Sequence, residues 1–306
     1  MNRSLRAPLL FAALAAAAAP SAAQDGKYKT YKEAAAAGAK AVRAGDLAAA
    51  REPLEAAARL AATDREKLEA HKALLTPYRE LPEVEPMQAA AEFIIGHTAQ
   101  AAERSLIRGA LLSFVQKRGK MDAAVAGYEG RLATDPDDRT ALYLLAEAYA
   151  THKKDPAKAA DRGEKLAAAE KKAGRSEDAA ELTRLAAHYV KAERPKDGAE
   201  LFERVAPADP KTEAWHLKEA AAAWLKAGDK TKAVAAARKS AAAAPEARSA
   251  QLTYYWRRGL GDVLLDAGEP KEAVAQYEGA LAATKTDGSV KDTKAKLAQA
   301  RAAAGM

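Results

Sequence analysis

Cysteine is absent from all 306 residues. Disulfides, zinc–thiolate sites, thiol catalysis and a lipid-modified N-terminal cysteine are therefore excluded, and packing alone must stabilise the fold. Asparagine does not occur after Asn2. Aromatic residues make up only 6% of the chain, so each large ring carries a large share of any core. No segment alternates apolar and polar residues as a half-buried strand does, which excludes Rossmann and hydrolase sheets. No apolar run reaches the ~20 residues that a membrane-spanning helix needs. Of the five histidines (His71, His97, His152, His188 and His216), no two fall on the same or adjacent turns of a helix. A helical metal pair is excluded, and no cofactor is expected. Gly259-Leu260-Gly261 is half a nucleotide-binding motif without its strand, and reads as tight helix packing. Glu83 and Glu85 lie in a Pro-stiffened connection and read as solvated loop residues.

What is present begins with an export-like leader. Arg3 and Arg6 precede the apolar run Ala7–Ala19, and Ser21-Ala22-Ala23 supplies small residues for cleavage before Gln24. Residues 1–23 are thus expected to be a signal peptide, and the mature chain to be periplasmic or secreted and not membrane-spanning. Loss of Arg3 and Arg6 lowers the formal net charge of +7 by two. With 30% charged residues of both signs, most charge reads as solvated helix surface.

The rest of the chain follows a period of 3.6. In Leu252–Ala283, Trp256, Leu260, Gly261 and Leu264 share one helix face, and Ala273, Tyr277 and Ala280 share another. Ala267-Gly268-Glu269-Pro270 separates them. Small residues sit where two backbones must approach, and large ones fill the space beside them. The same arrangement recurs upstream. Equivalent positions Leu112, Ala146, Ala186, Ala221 and Gly261 advance by 34, 40, 35 and 40 residues. Tyr31–Ala62 repeats it with Pro53 as the departure, which predicts a kink or a helix starting near Pro53. Thr63-Asp64-Arg65-Glu66 has the form of a capping box. Leu81–Pro86 reads as a loop, with helices following over Met87–His97 and Ala101–Gln116. Asp155-Pro156 reads as an N-cap followed by Pro in the first turn.

A helix–turn–helix repeat of about 34 residues resembles the tetratricopeptide repeat family. The family pattern W-x2-L-G-x2-Y, A-x3-F, P is matched by Leu182, Ala186, Tyr189, Gly198, Phe202 and Pro210. It is matched again by Arg257, Leu260-Gly261, Leu264, Ala273 and Tyr277. The resemblance implies an all-α, right-handed superhelical solenoid of stacked hairpins, six to seven of them over residues 24–289, of an exported bacterial type. Residues 290–306, with Val290 and Leu297 among lysines, read as the polar capping helix a solenoid needs.

The resemblance also implies that first helices line a concave groove. Off the packing face there are Tyr143 and Glu147, then Thr183 and Lys191. Trp215, Lys218 and Lys226 follow, and then Tyr255, Arg258 and Asp262. Trp, Tyr and Arg are the residue types that anchor interfaces. Some relatives clamp a C-terminal carboxylate with Asn, which a chain without Asn beyond its leader cannot do. The cluster Tyr254-Tyr255-Trp256-Arg257-Arg258 reads either as a stacking platform or as Trp256 packing into the preceding hairpin. The expected function is a non-enzymatic scaffold that holds a protein or extended peptide, possibly acidic, in this groove. Nucleic acid is not expected as a partner. The alternative is a binder of envelope polysaccharide or peptidoglycan.

Overall fold

The computed structural model describes residues 27–175, 178–244 and 249–306; the expected leader, residues 1–23, lies outside the described residues. The fold is all-α. Fifteen α-helices and one 3-10 turn at Ala206–Ala208 account for its regular structure, with no strand among the described residues. No helix among these residues is long and apolar enough to cross a membrane. The chain divides into two compact units, one ending at Leu81 and one starting at Pro82.

The first unit holds α1 (Tyr31–Arg43), α2 (Leu47–Leu60) and α3 (Asp64–Arg79), each packed on the next. Every one starts on a side-chain cap. Thr30 accepts from the Glu33 N–H at 3.2 Å and Asp46 from the Ala49 N–H at 2.9 Å. Thr63 and Glu66 close the reciprocal capping box expected from the sequence. Of the two expectations at Pro53, a helix start there is not found: α2 starts at Leu47, because Asp46 caps it, and continues through the proline to Leu60. Ala34, Ala57 and Ala70 form a small core, and Gly38 lets the Leu54 side chain lie directly against the α1 backbone.

The second unit runs through α4 (Glu85–His97), α5 (Ala101–Lys117), α6 (Met121–Thr134), α7 (Arg139–Thr151), α8 (Pro156–Lys172) and α9 (Ala179–Lys191). It continues with α10 (Pro195–Val205), α11 (Glu213–Lys226), α12 (Lys230–Ala242), α13 (Ala250–Ala267), α14 (Pro270–Ala282) and α15 (Asp287–Ala303). From α7 onward the helices pack as sequential hairpins: α7 on α8, α9 on α10, α11 on α12 and α13 on α14.

A backbone signature marks the hairpin turns. A residue with positive φ stands directly before the second helix's N-cap at Gly45, Gly119, Lys154, Glu193, Gly228 and Gly268. The left-handed residue ends one helix and turns the chain into the next. Gly adopts it freely. Lys154 (φ 53°) and Glu193 (φ 58°) do not, and such residues cost on the order of 1–3 kcal/mol. Six turns share this geometry among the described residues. The connection from Leu81 to Val84 does not have it, and it is shorter than the expected loop: α4 starts at Glu85, with Pro86 in its first turn where the missing N–H costs nothing.

Large side chains seat on small ones within hairpins (α13 on α14, α9 on α10) and between them (α8 on α9). A Cβ on Gly261 would lie 2.8 Å from the Tyr277 ring, and one on Gly198 would lie 2.6 Å from Val190 Cγ2. On Gly163 it would lie 2.9 Å from Leu185 Cδ1. From α9 to α15 one continuous core results, including Phe202, Trp224, Trp256, Leu260 and Tyr277. It contains a buried polar relay across three helices: Trp256 Nε1 donates to Ser240 Oγ at 3.1 Å, and Ser240 donates to the Ala214 carbonyl at 2.6 Å. The last helix starts at Asp287, three residues earlier than the expected cap, and buries Thr293, Leu297 and Ala300 against the stack.

Replacing Gly261 by Leu forces side-chain volume into the Tyr277 ring, and overpacking costs ~1–3 kcal/mol. Ala275 lies on the exposed face of α14. Thermal unfolding should therefore place Gly261→Leu well below wild type and Ala275→Leu close to it; equal melting temperatures would contradict this packing.

Candidate functional site

The helices α7, α9, α11 and α13, each the first of its hairpin, carry the expected groove residues. The structure divides these residues between two places in the second unit.

The first place is the face shared by α11 and α13. The two helices pack on each other, and the Lys218 stem crosses α13 at Gly259, where a Cβ would lie 3.5 Å from Lys218 Cδ. Trp215 is half-buried and packs on the core, with Lys218 Nζ 5.5 Å from its ring centroid. Tyr255 is 53% exposed and Leu252, one turn earlier on α13, 45% exposed. The aromatic–basic cluster is thereby resolved. Tyr254 and Trp256 are buried, and only Tyr255 presents its ring to solvent. The sequence reading missed Leu252. Its spacing of three from Tyr255 was the available signal.

The cations on this face already have partners. Lys218 pairs with Glu219 at 2.7 Å. Lys226 pairs with Glu193 at 3.0 Å and donates to the Val190 carbonyl at 2.9 Å. Arg258 pairs with Asp262 at 3.0 Å and with Asp292 at 2.8 Å; Asp262 also accepts from the Tyr277 hydroxyl at 2.8 Å. Lys191 is exposed. Thr183 is bound up locally, donating to the Ala179 carbonyl at 2.7 Å. Lys218, Lys226 and Arg258 are therefore largely neutralised by acids on their own helices, in the turn before α10 and on α15.

The second place is a cavity of about 540 Å³ bordered by α4, α5, α7, α8 and α9. Here one expectation is corrected. Tyr143 is not an open groove residue; it is 4% exposed, because the Arg108 guanidinium covers its ring at 4.1 Å. Glu147 is held by the same arginine at 3.0 Å. Arg108 also reaches Glu181 at 3.4 Å. Arg104 pairs with Asp178, and Arg184 donates to Ser105 Oγ at 2.6 Å. Arginines on α5 and α9 thus tie together two first helices that are two hairpins apart. Breaking a buried pair leaves an uncompensated charge and costs several kcal/mol, ~3–5, so this clasp fixes the local geometry.

His188 lines the same cavity and is buried. Burial pushes its imidazole below the ordinary value; Glu147 opposes that shift, while Lys191, Arg108 and Arg184 add to it. Burial likewise raises the Tyr143 phenol. Sequence reading missed the arginines of α5. Arg104 and Arg108 stand four apart, and Asp178 and Glu181 three apart, so each pair falls on one helix face. Nothing local to either helix says that the two faces meet.

No protein-family model matches the chain, and no curated protein matches it. Solved structures of tetratricopeptide repeat proteins do align. One from Parabacteroides merdae is 17% identical, with 88% of this chain and 98% of that chain covered and a TM-score of 0.39. YrrB, described as a tetratricopeptide repeat protein with an unusual peptide-binding site, is 16% identical, with 65% and 100% covered and a TM-score of 0.46. TTC0263 of Thermus thermophilus is 22% identical, with 62% and 95% covered and a TM-score of 0.38. The hairpin repeat described above rests on this chain's own turns and packing.

Proposed function

We propose that this chain is an exported, non-enzymatic scaffold of the tetratricopeptide type that holds an extended segment of a protein partner on the face of α11 and α13. The observation that carries the reading is the apolar edge formed by Leu252 and Tyr255, exposed one turn apart on α13, the helix that packs on α11 with its half-buried Trp215. Large apolar groups at the surface cost nothing when a partner covers them, and Trp and Tyr are typical interface anchors. Paired cations change the expected physics. An exposed ion pair is worth ~0–1 kcal/mol, and a cation already paired attracts an acidic partner weakly at long range. Affinity should come from the apolar edge, with little dependence on salt.

Affinity capture from envelope extracts would supply the partner. Tyr255→Ala and Leu252→Ser should then each weaken binding by roughly 1–2 kcal/mol, about five- to thirtyfold, without lowering the melting temperature. Lys218→Ala should matter less, and Lys239→Ala, on the exposed outer side of α12, not at all. Strong loss with Lys239→Ala and none with the α13 variants would place the interface elsewhere. Binding that survives protease treatment of the extract would favour the glycan reading, for which the exposed Tyr255 ring is the relevant platform.

Export rests on the basic, apolar and small-residue order of residues 1–23. Mass spectrometry of protein isolated from its native host should find a mature N-terminus at Gln24. Retention of Met1–Arg6 would contradict export by this leader.

A further inference from the structure

Three buried polar atoms around the cavity have no hydrogen-bond partner within the chain: Arg108 Nε, Tyr143 Oη and His188 Nδ1. Their side chains belong to residues that are 3%, 4% and 8% exposed. A stranded buried donor is costly, and the three side chains that carry these atoms line one cavity. Arg108 explains its own case. Its Nη1 and Nη2 groups are committed to Glu181 and Glu147, so the Nε edge is the donor left over. Tyr143 lies under that guanidinium. Burial pushes the His188 imidazole below its ordinary value, and its Nδ1 donates in the tautomer that carries the proton there.

The charge around them is uneven. Arg104, Arg108, Arg139, Lys171, Arg175 and Arg184 face Glu147, Glu170, Asp178 and Glu181, which leaves two positive charges in excess. Between the charged groups the wall is apolar, with Ile95, Leu166, Leu182 and Leu185. Pockets of this size and mixed lining are typical of small-molecule sites.

We propose that the cavity is a second, separate binding site, for a small amphipathic monocarboxylate whose oxygens accept from Arg108, Tyr143 and His188 and whose apolar body lies along Ile95, Leu166 and Leu185. A carboxylate supplies acceptors for all three donors. A dianion such as phosphate suits the site less, because four acids share the lining and like charges at close range repel. The site does not depend on the α11 and α13 face: no residue of either helix lines it.

The test uses octanoate, octanamide, octylamine and inorganic phosphate as probes with the full-length protein, read by calorimetry and thermal shift. Octanoate should bind saturably, with a Kd of about 1 mM or tighter, and raise the melting temperature. The amide and amine should bind at least about tenfold more weakly, and phosphate more weakly than octanoate. Tyr143→Phe removes only the stranded hydroxyl, so stability should hold or rise while octanoate affinity falls roughly two- to tenfold. Ala99 lines the cavity and is exposed; Ala99→Trp should narrow the entrance and weaken octanoate binding without touching the core. Tyr255→Ala should leave it unchanged. Absence of saturable binding, equal binding of octylamine, tighter binding of phosphate, or full affinity in both Tyr143→Phe and Ala99→Trp would each overturn the proposal.

Discussion

A hairpin of alanine-rich helices has little apolar surface of its own, and this shortage governs the second unit. Alanine favours the helix because it loses no side-chain freedom there, yet contributes little burial. The few large residues must therefore be shared between elements. Tyr277 seated on Gly261, Leu185 on Gly163 and Val190 on Gly198 do this. Each burial is worth roughly 1.5–3 kcal/mol, and each requires its glycine, since a Cβ would occupy the same space. Where the core continues from α9 to α15, every hairpin supplies a surface that its neighbour completes.

Polar groups follow from the same shortage. With few apolar residues to spare, first helices of the second unit meet through charge. Around α5, α7 and α9 the arginines and carboxylates interlock and enclose a cavity. At α11 and α13 the cations pair at the periphery and leave an apolar edge of Leu252 and Tyr255 uncovered. One repeat grammar thus yields two different surfaces, a cavity of mixed charged and apolar lining and an open apolar edge. They suit different ligands.

Much of this fold can be read from the amino-acid order because its determinants are local. The Thr63 capping box, the Asp155 cap with Pro156, and the turn at Gly268 are set by a few adjacent residues, and the structure has them where the sequence implies. Lys154 and Glu193 take the same left-handed turn without glycine. Only the repeat spacing points to them. Burial within Tyr254-Tyr255-Trp256 needs the helix register, which seats Trp256 on Ser240 and leaves Tyr255 outside. Ion pairing was least legible. Whether Lys226 or Arg258 is free depends on Glu193 or Asp292, each on another element. The covering of Tyr143 depends on Arg108 from the preceding hairpin.

Hairpins of the second unit hold one another through nearest-neighbour burial. Hydrogen exchange on a chain lacking residues 287–306 tests it most directly. Removing α15 uncovers the face that Leu297 and Ala300 bury, and local stability follows the contacts each segment retains. α13 and α14 should lose most protection while α7 and α8 keep theirs. An even loss from α7 to α14, or no loss anywhere, would contradict it.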